Sequence, residues 1–203
     1  MSNRTEVINR ALVKIGSNTI ASPDEDSEQA RKAGFVFDSL VQGELRRQAW
    51  SFAKKRVSLS PLAAVPIGTE FNVGYNLPAD CLRLVELDGA WVFSSLREAG
   101  FSGGRPVYTI EGRTLLTNGS GAALIVYVAD VSASVSTWDA AFIEAFACRL
   151  GAELVQSIAK NLSLKQSLRQ DYMEALKEAR RTNAIELPPQ ALADDSWVLA
   201  RLW

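Results

Sequence analysis

Apolar residues keep a helical period longest between Thr137 and Asn183, a stretch that holds no proline. Phe142, Phe146, Leu150, Leu154 and Ile158 recur every four residues, with Ile143, Ala147, Gly151 and Val155 alongside, so the apolar stripe is wide and the helix should be largely enclosed. Asn161 interrupts the pattern. Ser163, with Gln166 three residues on, has the form of a capping box opening a second helix that runs to about Asn183, roughly 30 Å long. Its apolar line of Leu164, Leu168, Tyr172, Leu176 and Ala179 is narrower, and Lys165, Arg169, Asp171, Lys177 and Arg180 occupy the other sides. The spacing predicts two antiparallel helices, the second covering the first. Near the N-terminus, Val7, Ile8, Ala11, Leu12 and Ile15 predict a short helix over 6–15 with Gly16 as its C-cap. Ala30, Ala33, Phe37, Leu40, Val41 and Leu45 predict a long one over 27–48. The acidic run Asp24, Glu25 and Asp26 just before it suits the positive end of the helix dipole better than a metal.

The period changes at Trp50. Trp50, Phe52, Val57 and Leu59, then Val73, Tyr75 and Leu77, fit extended segments on either side of a Pro61–Gly68 loop, and 78–80 reads as a turn. Short strands are expected over 82–87, 90–96, 106–110, 114–116 and 123–128, with Asp88-Gly89, Glu111-Gly112 and Asn118-Gly119 at hairpin positions. One small antiparallel sheet inserted between the helices follows. The expected fold class is α+β, mainly α: an antiparallel helical bundle (1–49 and 137–183), a β-rich lobe (50–136) and an extended C-terminal tail (184–203). That tail is unusually apolar for a terminus, with Leu187, Leu192, Trp197, Val198, Leu199, Leu202 and Trp203 beyond Pro188-Pro189. Burying three such side chains stabilises by roughly 5–9 kcal/mol before ordering costs. It either folds back on its own domain or docks on a neighbouring chain; the second reading is preferred, with Leu187, Leu192, Trp197, Leu199, Leu202 and Trp203 as partner-binding residues.

Composition narrows function mainly by what is missing. Among 203 residues there is no histidine, which removes the usual general base of serine and cysteine hydrolases and the commonest zinc ligand. Two cysteines, Cys81 and Cys148, lie far apart and cannot form a disulfide framework; both read as reduced core residues. Twenty-two basic against twenty-three acidic residues leave a charge of −1, so no overall field recruits nucleic acid. Residues 1–6 contain no apolar signal-peptide core, and uncharged stretches are broken well before about 18 apolar residues accumulate. No catalytic residue, cofactor or metal site is expected, and no stable membrane association.

Three features look chemical and resolve otherwise. Gly100-Phe101-Ser102-Gly103-Gly104 matches G-x-S-x-G, but neither a following helix nor a histidine accompanies it, so it reads as a loop. Gly119-Ser120-Gly121 lacks the Lys-Ser or Lys-Thr of a phosphate loop. Glu44, Glu86, Glu98, Glu144 and Glu153 could supply a glycosidase pair, yet no spacing selects one; Glu144 and Glu153, with Arg149 between them, are expected to form salt bridges. The basic groups Arg46-Arg47, Lys54-Lys55-Arg56 and Arg180-Arg181 read as solvated faces, with contact to DNA phosphates or an acidic partner as the minority reading.

The segments Ile8-Asn9-Arg10-Ala11-Leu12-Val13-Lys14-Ile15-Gly16, Arg46-Arg47-Gln48-Ala49-Trp50-Ser51-Phe52, Leu59-Ser60-Pro61 and Tyr75-Asn76-Leu77-Pro78-Ala79-Asp80-Cys81-Leu82-Arg83, in that order, resemble the head-to-tail adaptor family of short-tailed phages, also called tail tubular protein A or tail accessory factor. The likeness covers most of residues 6–87; downstream only the order of sheet and helix pair agrees. Ala53 stands where members often have Asn after Trp-x-Phe. The resemblance implies a virion protein at the head-to-tail interface: a homo-oligomeric ring of about twelve subunits, with the portal protein above, the tail nozzle protein below, and DNA passing through the lumen without sequence-specific binding. It implies a structural role and no chemistry. A cell-wall-degrading glycoside hydrolase of the virion and a DNA-binding module are the alternatives, separable by alanine substitution of the glutamates and by the salt dependence of DNA affinity.

Overall fold

The computed structural model describes residues 2–64, 69–88, 90–91 and 108–186. Within them the chain is mixed α+β, with α-helices α1 (Arg4–Lys14), α2 (Glu28–Arg47), α3 (Ala140–Ile158) and α4 (Leu162–Ile185), and β-strands β1 (Lys54–Leu59), β2 (Val73–Asn76), β3 (Cys81–Leu87), β4 (Ala90–Trp91), β5 (Tyr108–Glu111), β6 (Thr114–Thr117) and β7 (Ala123–Ala129). No helix among the described residues is long and apolar enough to cross a membrane.

The helix stops are local chemistry. Asn3 caps α1 by accepting from the Glu6 amide, and Gly16 at φ +70° closes it: the amides of Gly16 and Ser17 return to the carbonyls of Val13 and Leu12. Asn9 then pins the outgoing loop, exchanging both of its amide hydrogen bonds with the backbone of Ile20. Ser27 caps α2 through the Ala30 amide. The acidic run does not cap it: Glu25 accepts from the amides of Ala21 and Ser22 and shapes the turn, while Asp26 pairs with Arg31. Asp139 caps α3. For α4 the capping residue is Asn161, which accepts from the Leu164 amide; Ser163, the expected cap, lies inside the helix and donates back to Asn161. A carboxamide two residues earlier reaches the same orphan amides, so the capping-box reading placed the start too late. Helix α4 is accordingly longer than expected, at 24 residues or about 36 Å.

Among the described residues there are two sheets instead of one. A four-stranded antiparallel sheet has the order β1-β7-β3-β4, and a three-stranded one the order β2-β6-β5. Leu87 pairs with Ala90 and Asp88 takes φ +50°, while Gly89 of the expected Asp88-Gly89 turn lies outside the described residues. The β5–β6 turn is Gly112-Arg113, one residue later than read, because Glu111 still pairs with Thr114 and Gly112 takes the positive φ. Asn118-Gly119 is not a hairpin turn: β6 and β7 belong to different sheets, and Gly121 is the residue at φ +77° in that crossover. The chain from Trp50 also enters β1 through a short 3-10 turn, Ser51–Ala53, instead of running extended. Expected strand residues 92–96 and the Gly100–Gly104 loop lie outside the described residues.

Helix α3 is buried nearly all round. Phe142, Ile143, Phe146, Leu150, Leu154 and Val155 are each at most 3% exposed, and α1, α2 and α4 all pack on it. At its first turns Phe142 meets four other rings: Trp50 at 4.9 Å between centroids, Phe52 at 5.1 Å, Trp138 at 5.3 Å and Phe146 at 6.2 Å. Phe37 of α2 completes the group against Phe146 and Trp138. Buried indole N–H groups are satisfied by carbonyls, Trp50 by Glu44 and Trp138 by Val131. One apolar cluster runs from these helices into Val85, Ile125 and Val128 of the larger sheet, so helices and strands share a core. Truncating Phe142→Ala should cost about 3–5 kcal/mol in denaturant unfolding; a loss below about 1 kcal/mol would place the core's centre elsewhere.

Candidate assembly surfaces

The six tail residues expected to bind a partner, Leu187, Leu192, Trp197, Leu199, Leu202 and Trp203, lie outside the described residues, as does Glu98. What is described is the root from which that tail leaves. Asn183, in the last turns of α4, is 5% exposed; its side chain accepts from the Ser51 amide at 2.7 Å and donates to the Ala49 carbonyl at 3.5 Å. Ser51 in turn donates to the Glu186 carboxylate. The end of α4 is thereby tied to the link between α2 and β1. Asn183 continues the buried line of Leu168, Tyr172, Leu176 and Ala179 by one more turn, a signal present in the spacing but hidden by its polarity.

Arg149 does not bridge Glu144 and Glu153. Its Nε lies 3.6 Å from Oε1 of Glu44, a carboxylate only 4% exposed on α2. Arg47 approaches the same oxygen at 3.3 Å, and the Tyr172 hydroxyl donates to the other at 2.7 Å while accepting from Arg47 at 3.1 Å. Three helices thus meet on one carboxylate. Burial first, and the bond to Glu44 second, push the Tyr172 phenol up to about 12. Glu144 instead pairs with Lys14 at 2.6 Å, fastening α3 to α1, and Glu153 is exposed. Held between two guanidiniums and a phenol on three helices, Glu44 reads as a structural anchor.

The basic groups divide by position. Lys55 and Arg56 are exposed on β1, an edge strand, where cationic side chains discourage pairing with another sheet. Lys55 also holds Asp80 at 2.7 Å, and Asp80 accepts from Tyr127 at 3.0 Å. Burial pushes the Asp80 carboxyl up, but Lys55 and Tyr127 together outweigh it and hold the group below its usual range. Burial and the Asp80 contact push the Tyr127 phenol up to about 12. Arg46, by contrast, faces a cleft of about 350 Å³ at the seam of the two sheets, shared with Arg83 of β3 and Arg113 of the β5–β6 turn. Leu77, Leu82, Tyr108 and Ile110 give it an apolar lining, and Cys81, half-buried, sits among them. Three arginines scattered through the chain gave no cluster to read; only the fold gathers them.

Large apolar side chains also stand in solvent on three helices: Val13 on α1, Phe35 on α2 at 88% exposure, and Met173 and Ile185 on α4 at 63% and 78%. Among the described residues no group of three or more Cys, Asp or Glu side chains could hold a metal ion. No family model matches the chain, and no curated protein matches it.

The two phenols at about 12 set an alkaline limit. A phenol whose folded value exceeds its unfolded one of about 10 contributes stability that is complete below about pH 10 and is lost as pH rises through about 12. Denaturant stability should therefore fall over that window, and by less in Tyr172→Phe, which removes one raised phenol while Tyr127, Tyr75 and Tyr108 still ionise from values that burial holds up. An equal fall in both proteins would contradict the Tyr172 assignment.

Proposed function

We propose that this chain is the structural subunit of a head-to-tail connector of a tailed phage, a ring that joins the portal to the tail nozzle and lets DNA pass. In this reading the helical bundle formed by 1–49 and 137–183 makes the ring wall. The β-rich region 50–136 and the tail 184–203 make contacts to the rings above and below. The resemblance across residues 6–87 motivates the proposal. The observation that carries it is Phe35, a phenyl ring almost wholly in water in the middle of a well-anchored helix.

An isolated exposed apolar residue is ordinary, but here Val13, Phe35 and Met173 stand on three different helices whose inner faces are fully used. A ring contact is heterologous, joining two different faces of each subunit, and so calls for apolar groups on separated surfaces instead of one self-complementary patch. Phe35 borders a shallow groove with Val36 and Leu154, rimmed by Arg31, Lys32 and Glu153. Met173 borders another with Lys177 and Arg180 on α4. Grooves with an apolar centre and a charged rim suit protein contacts. A net charge of −1 matches a wall past which DNA must slide without sticking.

Burying one phenyl ring is worth about 1.5–3 kcal/mol, so Phe35→Asp should weaken ring formation on the portal by at least about tenfold while leaving the far-UV dichroism and melting curve unchanged. Met173→Asp should do the same from the other face. Assembly of both variants on purified portal at the unaltered concentration would reject the proposal.

A further inference from the structure

We infer that contact between copies joins two particular surfaces: the Phe35 groove of one copy receives the Met173 face of another, and Glu153 of the first meets Lys177 and Arg180 of the second. The inference rests on the ring reading for one thing only, that the partner is a second copy of this chain. Charge singles out the two surfaces. The Phe35 groove, of about 460 Å³, lies between α2 and α3 and is lined by Val36 and Leu154. Its two cations are already answered, Arg31 by Asp26, and Lys32 by Glu28 together with the Ser157 carbonyl. Glu153 is exposed and pairs with no cation among the described residues, so this groove is left with one carboxylate in excess.

The Met173 face has the opposite balance. Met173, 63% exposed, borders a groove of about 470 Å³ along α4, with Leu176, Lys177 and Arg180 beside it. Neither cation has a carboxylate partner among the described residues. Glu174 is the one acid lining the groove, and it accepts from Gln170 at 3.4 Å, so one cation remains in excess. Met173, Lys177 and Arg180 follow at i, i+4 and i+7, which puts the thioether and both charges in one row, while Asp171, Glu174 and Glu178 fall on the other flank.

Two grooves of like size, each with an apolar centre, thus differ in the sign of the charge left at the rim. Opposite signs draw the surfaces together and set their register, where equal signs would hold them apart. Methionine suits the central position, because its unbranched thioether adapts to an aromatic ring and makes a favourable sulfur contact with it. The groove beside Val13 fits less well: Lys14 is paired with Glu144 and Arg10 with Glu6, so no charge is left there to choose a partner. Phe35 and Met173 stand on different helices, and a copy that offers one groove to each neighbour meets the heterologous pattern of a ring. One phenyl ring and one thioether make a small centre beside the roughly 800 Å² that each side of a stable interface commits. The contact is therefore weak between two free copies and closes when many are gathered.

Cross-linking between two differently marked full-length chains tests the pairing. In a Cys81→Ser background, which leaves only the buried Cys148, one chain carries Ser157→Cys in the Phe35 groove and the other carries Gln170→Cys or Arg181→Cys, exposed positions on either side of Met173 along α4. The mixture is treated with a short bismaleimide on purified portal and, separately, at about millimolar protein. At least one of the α4 variants should join the Ser157→Cys chain, read by peptide mass mapping of the dimer band, whereas a Val13→Cys chain should not. Adding Glu153→Lys to the first chain should lower the yield at least about fivefold, and adding Lys177→Glu with Arg180→Glu to the second should restore it. Such rescue by charge exchange separates recognition from misfolding. A ring on the portal without a cross-link from Ser157→Cys to α4, a preference for Val13→Cys, or a yield indifferent to Glu153→Lys would overturn the pairing and leave the ring reading standing. Charge-dependent cross-links at millimolar protein with no assembly on the portal would uphold the pairing and remove the connector. Neither ring nor cross-link would overturn both.

Discussion

Everything in this molecule answers to one constraint: α3 carries apolar side chains around nearly its whole circumference and has to be covered on every side. Phe142 is where that constraint is tightest, because rings from the α2–β1 link, from the segment before α3 and from α3 itself close around it. Covering α3 is what brings α1, α2 and α4 together, and the larger sheet packs on α2 and joins the same apolar cluster. Gly151 marks how near the coverage comes: a Cβ there would meet the Ala11 carbonyl of α1 at 3.4 Å.

Polar groups then decide how the covering elements are oriented, since apolar burial has little directional preference. Glu44 does this inside the helical layer by receiving Arg47, Arg149 and Tyr172, so that α2, α3 and α4 can meet in one arrangement without leaving an unpaired buried charge. Asn9 and Asn183 do it at the margins, each lending a side-chain amide to a loop backbone as a neighbouring strand would. A chain fixed in this way is held firmly inside while presenting Phe35, Val13 and Met173 outside. Firm internal contacts with apolar projections are what repeated assembly requires, because a contact that must recur around a closed ring tolerates little variation in angle.

The helices were legible in the sequence because their period is long and unbroken; the four-residue recurrence from Phe142 to Ile158 needs nothing from elsewhere in the chain. Their ends were less so. Asn161 and Ser163 offer competing caps, and only the backbone path chooses between them. The sequence places most described strands nearly correctly but does not separate the two sheets, because alternation along β6 and β7 reveals which residues face inward and says nothing of which strand lies alongside. The assembly surfaces were the least legible part. Arg149 looked paired to the glutamates on its own helix, but its partner comes from α2. Arg46, Arg83 and Arg113 are separated by dozens of residues, and no local pattern announces that a turn and a strand end will bring them to one cleft.

Native mass spectrometry of the intact 22.1 kDa chain, alone and with purified portal, tests the assembly claim most directly. A monomer or small oligomer alone, and a single added mass matching a closed ring of about twelve copies on the portal, is the expected result. A spectrum in which the chain stays unassembled and apart from the portal at every mixing ratio would contradict it.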